Sequence, residues 1–242
     1  MQYTPDVATQ YARFRGPCHD VVQALIDNAH LSGKSRVLDV GCGTGNFCIA
    51  LSELIGCHCA GLDPSAGMLA QARARAPQTL FVQGRAEALP YHDASFELLF
   101  SVDVIHHVTG HGEYIQEAKR VLRPGGLLCT VTESHAAIQQ RSILSVYFPE
   151  TVERQIQRYP SIEALSSLMA QAGFTDIRDE VLCTPYQVTD IDAYRNKTFS
   201  CLHEIPEAAY QQGLQRLEAD LAKALPARIP GMARTTLLWG KK

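Results

Sequence analysis

The stretch Val37-Leu38-Asp39-Val40-Gly41-Cys42-Gly43-Thr44-Gly45-Asn46 runs a short apolar segment into three glycines at alternate positions. An apolar run of this length reads as a buried strand. Glycines directly after it let the backbone turn tightly and pass close to a ligand. Three ligands are open at this point: a dinucleotide, a nucleoside triphosphate, or a molecule with no phosphate. The dinucleotide fingerprint needs G-x-G-x-x-G, whose third glycine lets the following helix pack closely on the strand. Here that position is Asn46, so the pattern fails at one defined place. Ser32-Gly33-Lys34-Ser35 looks like the tail of a phosphate loop, but its leading glycine would fall on Asn28, and it precedes the strand. A phosphate cradle needs strand, loop and helix in that order.

The rest of the chain alternates strand and helix signals. Further β-rich runs lie at 57–63, 79–83, 96–101, 127–132, 174–182 and 234–239, with amphipathic segments at 46–54, 65–76, 112–122 and 162–172. Strands separated by helices of this length call for a parallel sheet covered on both faces. Pro64 after Asp63 predicts a helix start with the acid as its cap. Arg123-Pro124-Gly125-Gly126 predicts a sharp stop and a turn into the next strand, and Gly173 ends the 162–172 helix. Sheet order is not readable from the spacing.

Some segments break the alternation. Residues 1–30 precede the first strand and read as a helical cap from about Cys18, while 134–160 and 185–226 are helix-rich insertions, with amphipathic stretches at 190–200 and 206–225. Ligands of open sheets sit beyond the carboxyl ends of the strands, and material inserted there tends to cover them. The insertions are therefore expected to form a helical lid and substrate pocket around a core of residues 31–133, within a single domain spanning 1–242.

Composition narrows the partners. The 242 residues are 46% hydrophobic and 19% charged, enough to bury a sizeable core. Net charge is −3, from 22 basic and 25 acidic residues, so no global cationic field gathers nucleic acid or anionic lipid. Neither nucleic acid nor membrane is expected as a partner; a monomer or homodimer is. The N-terminal residues lack a signal-peptide run and no stretch reaches transmembrane length, which makes a cytoplasmic location the expectation. The eight cysteines would then be reduced thiols. Cys57-His58-Cys59 sits in a strand run, where alternation puts both sulfurs on one face and His58 on the other. That predicts buried small side chains, not a metal site, and no metal is expected.

Asp63 ends the second strand run, at the spacing where an acid accepts hydrogen bonds from ribose hydroxyls. Asp39 sits just inside the first glycine. A nucleoside with a cationic group near the glycines suits two acids better than a pyrophosphate does.

Val37–Gly45 resembles the first motif of the class I S-adenosylmethionine-dependent methyltransferases, specifically the methyltransferase type 11, UbiE-like small-molecule group. Later signals follow that family's order: Gly61-Leu62-Asp63-Pro64-Ser65, Gln83-Gly84-Arg85-Ala86-Glu87-Ala88-Leu89-Pro90, Phe96–Ser101, Leu122-Arg123-Pro124-Gly125-Gly126 and Ala172-Gly173-Phe174. The resemblance covers about residues 36–133. It implies an α/β, Rossmann-like fold: a seven-stranded, mostly parallel sheet, its last strand antiparallel, with helices on both faces and a helical lid. It also implies S-adenosylmethionine as cofactor, with S-adenosylhomocysteine as product.

Site roles follow from that resemblance. Gly41, Cys42 and Gly43 would pass close to the methionine part of the cofactor, with Asp39 helping to bind its ammonium. Asp63 would take both ribose hydroxyls, next to Pro64. Met68 either packs by the adenine or is plain core. Ala86 would offer a backbone amide to the adenine edge, and Ser101 lies at the end of the fourth strand run. Arg85 departs from the family, which often has an acid there; arginine has no acceptor. Either Glu87 substitutes, or backbone and apolar contacts hold the base. Tyr11 and Arg15 resemble a segment that many small-molecule methyltransferases fold over the cofactor, with Arg15 pairing the methionine carboxylate.

Methyl transfer from a sulfonium is an in-line displacement, so the protein has to align a nucleophile, exclude water and, for some acceptors, remove a proton. His106 and His107 follow the fourth strand run, where the sheet opens onto its ligand, and are the candidate bases; His111 and Asp103 lie nearby. One histidine lining the pocket and another bonding a backbone carbonyl is the alternative. The expected reaction is transfer to an oxygen, nitrogen or carbon of a small molecule. A nucleic-acid or protein methyltransferase, or a cofactor-binding protein without catalysis, are the alternatives.

Overall fold

The computed structural model describes residues 17–224 and 226–242. Strand β1 (Arg36–Val40) pairs in parallel with β2 (His58–Asp63) on one side and β4 (Phe96–Val102) on the other. Edge strand β3 (Leu80–Gln83) extends the sheet beyond β2. Strand β5 (Leu122–Thr132) lies beyond β4, followed by β7 (Ile229–Lys241) and β6 (Thr175–Val188). The seven-stranded order is β3-β2-β1-β4-β5-β7-β6, with β7 antiparallel, a Rossmann-like fold.

Helices connect the parallel strands: α1 (His19–Asn28) before β1, then α2 (Asn46–Ile55), α3 (Ala66–Arg75) and α4 (His111–Val121). The remaining helices are α5 (His135–Gln139), α6 (Leu144–Tyr147), α7 (Glu150–Arg158), α8 (Ile162–Gln171), α9 (Asp192–Arg195) and α10 (Glu207–Lys223).

Two compact units divide the chain. The first comprises the described residues up to Thr132, with Ile162–Glu180 and Leu237–Lys242. A core there sets Leu38, Val40, Leu62, Leu99 and Leu128 of the sheet against Tyr114, Ile115 and Ala118 of α4 and Leu165 and Met169 of α8. Alternation along β1 sends Leu38 and Val40 into this layer, so Asp39 turns to the opposite face. Trp239 is fully buried, its Nε1–H donating to Glu180 at 3.0 Å, and Asn28 of α1 donates to the same oxygen at 3.2 Å.

The second unit comprises Glu133–Ser161 and Val181–Thr236 and has a core of its own. Phe148 is fully buried there, with its ring stacked near Tyr194 and Tyr210. Tyr147 and Tyr194 also pack in that core.

Three local expectations change. The α3 helix starts at Ala66, not at Pro64: Ser65 caps it by accepting from Met68 N–H at 3.3 Å, while Asp63 accepts from Ser65 N–H at 2.8 Å. The Arg123–Gly126 segment falls inside β5 as a bulge, since Phe96 pairs with Leu122 and Leu98 already pairs with Leu127. Gly125 takes φ +79° there. The amphipathic 190–200 stretch forms only the four-residue α9 and the start of a 3-10 turn, Ser200–His203. Cys57 and Cys59 are buried and His58 is exposed. Among the described residues, no helix is long and apolar enough to cross a membrane, and no cluster of three or more metal-ligating side chains occurs.

Candidate active site

The strand order reverses between β1 and β4, and open α/β sheets bind ligands at that crevice. A cavity of about 120 Å³ opens there, lined by Val40 and Gly41 after β1, Leu62 and Pro64 after β2, Arg85, Ala86 and Glu87 after β3, and Val104, His107 and Val108 after β4. A wider, more open hollow of about 450 Å³ runs along α4 and α8 and shares only Glu87 with it. That hollow touches neither the glycine loop nor a histidine, so the smaller cavity is where the chemistry-bearing groups meet.

The glycine loop is built from the strand end outward. Gly41 N–H and Cys42 N–H both donate to the Leu62 carbonyl, at 2.6 and 3.0 Å, and Gly45 N–H closes the turn on the Cys42 carbonyl at 2.8 Å. Gly41 has φ +78°, and a Cβ there would stand 2.3 Å from Val104 Cγ2, so only glycine lets the β1 and β4 loops approach this closely. Gly43 has φ +53°, and a Cβ on it would meet nothing within 4 Å. Its outer side faces open space.

Asp63 joins this loop to the next helix. One carboxylate oxygen accepts Gly43 N–H at 2.9 Å and the other accepts Ser65 N–H at 2.8 Å. Burial raises its pKa, and those two amides hold the rise back. Asp39 lies beneath, 2% exposed, with the Cys48 thiol 3.7 Å from its Oδ2. Burial lifts its pKa to about 8; the Cys48 thiol opposes this and the charge of Asp63 adds to it. Burial also pushes the Cys42 thiol up, so it is an inert neutral group.

On the far wall, Glu87 Oε1 accepts from Arg85 Nη2 at 3.2 Å and from Thr109 N–H and Oγ1–H at 3.3 and 3.1 Å. Burial pushes this carboxyl up, but its own backbone amide, Arg85 and Thr109 outweigh that and bring its pKa down to about 2. It is a permanent acceptor. The 3-10 turn Ile105–His107 puts His107 on the cavity wall, with the His106 ring centroid 4.1 Å from that of His107. His111 Nε2 lies 3.0 Å from the Ile105 carbonyl; as the N–H tautomer it donates there and holds the turn.

Of the residues expected from sequence, Gly41, Pro64, Ala86, Glu87 and His107 line the cavity. Gly43, Cys42, Asp63 and Asp39 form the loop and its support. Met68 is 4% exposed in α3, and Ser101 is interior, its hydroxyl accepting from Tyr114 at 3.1 Å. Tyr11 and Arg15 lie outside the described residues. Arg85, Val104 and Val108 also line the site and were not among the expected ligands. The signal for Arg85 was its break with the family pattern; the two valines carry none.

The donor set suits a cationic nucleoside. Apolar walls from Val40, Leu62, Pro64, Val104 and Val108 accommodate a base, Gly43 leaves room above its backbone, and two buried acids lie below the loop.

Fold and site together describe an open α/β sheet with a cavity at its β1/β4 crevice. Residues 38–130 match a family described as a methyltransferase domain, of type 11. An uncharacterized methyltransferase of Synechocystis sp. is 31% identical over 184 residues, covering 73% of this chain and 83% of that one. The demethylmenaquinone methyltransferase of Staphylococcus epidermidis is 31% identical, covering 63% and 73%. Phosphoethanolamine N-methyltransferase 2 of Haemonchus contortus, solved with S-adenosyl-L-methionine, shares the fold with TM-score 0.67 at 20% identity, covering 100% of this chain and 58% of that one. The chain belongs to the type 11 methyltransferase family and is an S-adenosylmethionine-dependent methyltransferase.

Proposed function

We propose that this methyltransferase acts on an oxygen, nitrogen or carbon nucleophile of a small-molecule acceptor by in-line displacement, with His107 as the group that takes the acceptor's proton where one must leave. The observation that carries this reading is the β1/β4 cavity, where His107 faces the same space as Gly41. When bound, S-adenosylmethionine supplies a methyl already activated on a sulfonium.

The chain's own residues do the rest. Gly41 and Gly43 keep side chains out of the path, Asp63 orients the ribose, and Asp39, protonated below about pH 8 in the free protein, ionises to face the ammonium. Ala86 presents backbone to the base, and Glu87, held ionised by Arg85 and Thr109, stands beside it as an acceptor. Val104 and Val108 exclude water, which strengthens polar contacts in the cavity. A small acceptor agrees with the net charge of −3 and with relatives named for demethylmenaquinone. The helical segments 134–160 and 185–226 are the proposed source of acceptor selectivity.

Two measurements test this. Calorimetry with S-adenosylhomocysteine should give a one-site isotherm, and a labelled-methyl screen across metabolite pools should yield a labelled small molecule. Label found only in protein or RNA fractions would sink the acceptor assignment.

A further inference from the structure

Asn46 occupies the place where a dinucleotide site has its third glycine, the residue that lets helix and loop close together. In this fold the closure has another source. Arg75, in the last turn of α3, reaches back to the glycine loop, its Nη1 donating to the Thr44 carbonyl at 2.9 Å, to Thr44 Oγ1 at 3.4 Å and to Asn46 Oδ1. Thr44 is 1% exposed and its hydroxyl is itself 3.4 Å from Asn46 Oδ1, so loop and α2 start are gathered on one guanidinium.

The same helix touches the loop elsewhere. A Cβ on Gly45, which has φ +79°, would stand 3.3 Å from Ala72 Cβ, one turn before Arg75. At the other end of the segment, Asp63 accepts Gly43 N–H. The β2–α3 segment thus grips the loop at Gly43 through a carboxylate, at Gly45 through packing, and at Thr44 and Asn46 through Arg75. Arg75 itself is exposed, so its removal opens no core cavity.

We propose that Arg75 is a positioning residue for cofactor binding: with Asn46 it replaces the missing third glycine and holds the loop in the shape that accepts the methionine end of S-adenosylmethionine. It touches no cofactor atom in this role. The proposal rests on the cofactor assignment and adds to it a pair of residues, 29 positions apart, that set loop shape.

The test is calorimetric affinity for S-adenosylhomocysteine in the parent, R75M, R75K, N46A and R75M/N46A, with melting temperature without cofactor read in parallel. R75M should weaken binding about tenfold, the loss expected for charge-assisted hydrogen bonds at a partly exposed site. R75K, which keeps charge and stem, should recover part of it. The double variant should lose less than the sum of the single ones, because the Arg75–Asn46 bond is already gone in either. In turnover, KM for S-adenosylmethionine should rise while kcat holds. Binding by R75M within about twofold of the parent, fully additive losses, or a fall in kcat at constant KM would each overturn the proposal. A parent that does not bind S-adenosylhomocysteine would overturn the cofactor assignment itself, and this inference with it.

Discussion

Replacing Asp39 by Asn should stabilise the protein without cofactor, and increasingly so as pH rises. Asp39 is 2% exposed on the face of β1 turned away from α4 and α8, and the structure offers its carboxyl a thiol, Cys48, in place of water. Burial, opposed by that thiol and reinforced by Asp63, lifts its pKa from 3.8 to about 8. Between those values the folded chain keeps a proton that the unfolded chain has released, so folding stability falls as pH rises across that window and stays low above it. At about 1.36 kcal/mol per pH unit, the loss between about pH 5.5 and pH 8 is about 3 kcal/mol. Asn has the same shape, keeps an oxygen for the Cys48 thiol and never ionises. Urea unfolding of parent and D39N at several pH values should show a stability gap that widens by about that amount in favour of D39N. The same variant should bind S-adenosylhomocysteine about tenfold more weakly, because Asn cannot ionise when the ammonium arrives as Asp39 can. A gap that does not change with pH would refute the reasoning, because it would mean that Asp39 is already ionised in the folded protein at pH 5.5.

Three further substitutions probe the cavity. D63N removes the acceptor of either Gly43 N–H or Ser65 N–H and faces an amide with an NH2 group, so affinity for S-adenosylhomocysteine should drop at least about tenfold by calorimetry. G41A drives a methyl into Val104 and forces φ +78° on a residue with a Cβ; cofactor binding should fail, and V104A added to it should restore part, since only the clash is relieved. H107N should lower kcat about a hundredfold for an acceptor that must lose a proton, with affinity for S-adenosylhomocysteine held within a few fold. H106N run alongside assigns the role: the histidine whose replacement leaves kcat intact is not the base.

Much of the first unit is legible from local chemistry. Three glycines after an apolar run announced the loop, and all three, Gly41, Gly43 and Gly45, take positive φ. Asp63 at a strand end and the histidines after β4 were readable as candidate site residues because position at a strand's carboxyl end is a property of sequence order. Met68 was left between adenine and core because helical spacing puts a side chain on a face without saying what lies opposite. Tyr147 and Tyr194 likewise lie in a core assembled from segments some fifty residues apart in the chain, which no local spacing announces.

By itself, the sequence determined the alternation of strands and helices, the loop that rejects a dinucleotide at Asn46, and the class of cofactor. These rest on backbone preferences and side-chain chemistry that act over a few residues. Tertiary structure decided the strand order β3-β2-β1-β4-β5-β7-β6, and with it which side chains meet. Only that packing brings Cys48 to Asp39, Arg85 to the cavity wall and Arg75 to Asn46. Each of these joins groups on different elements, and their approach depends on how the strands are ordered and the helices laid against them, which residue spacing does not encode.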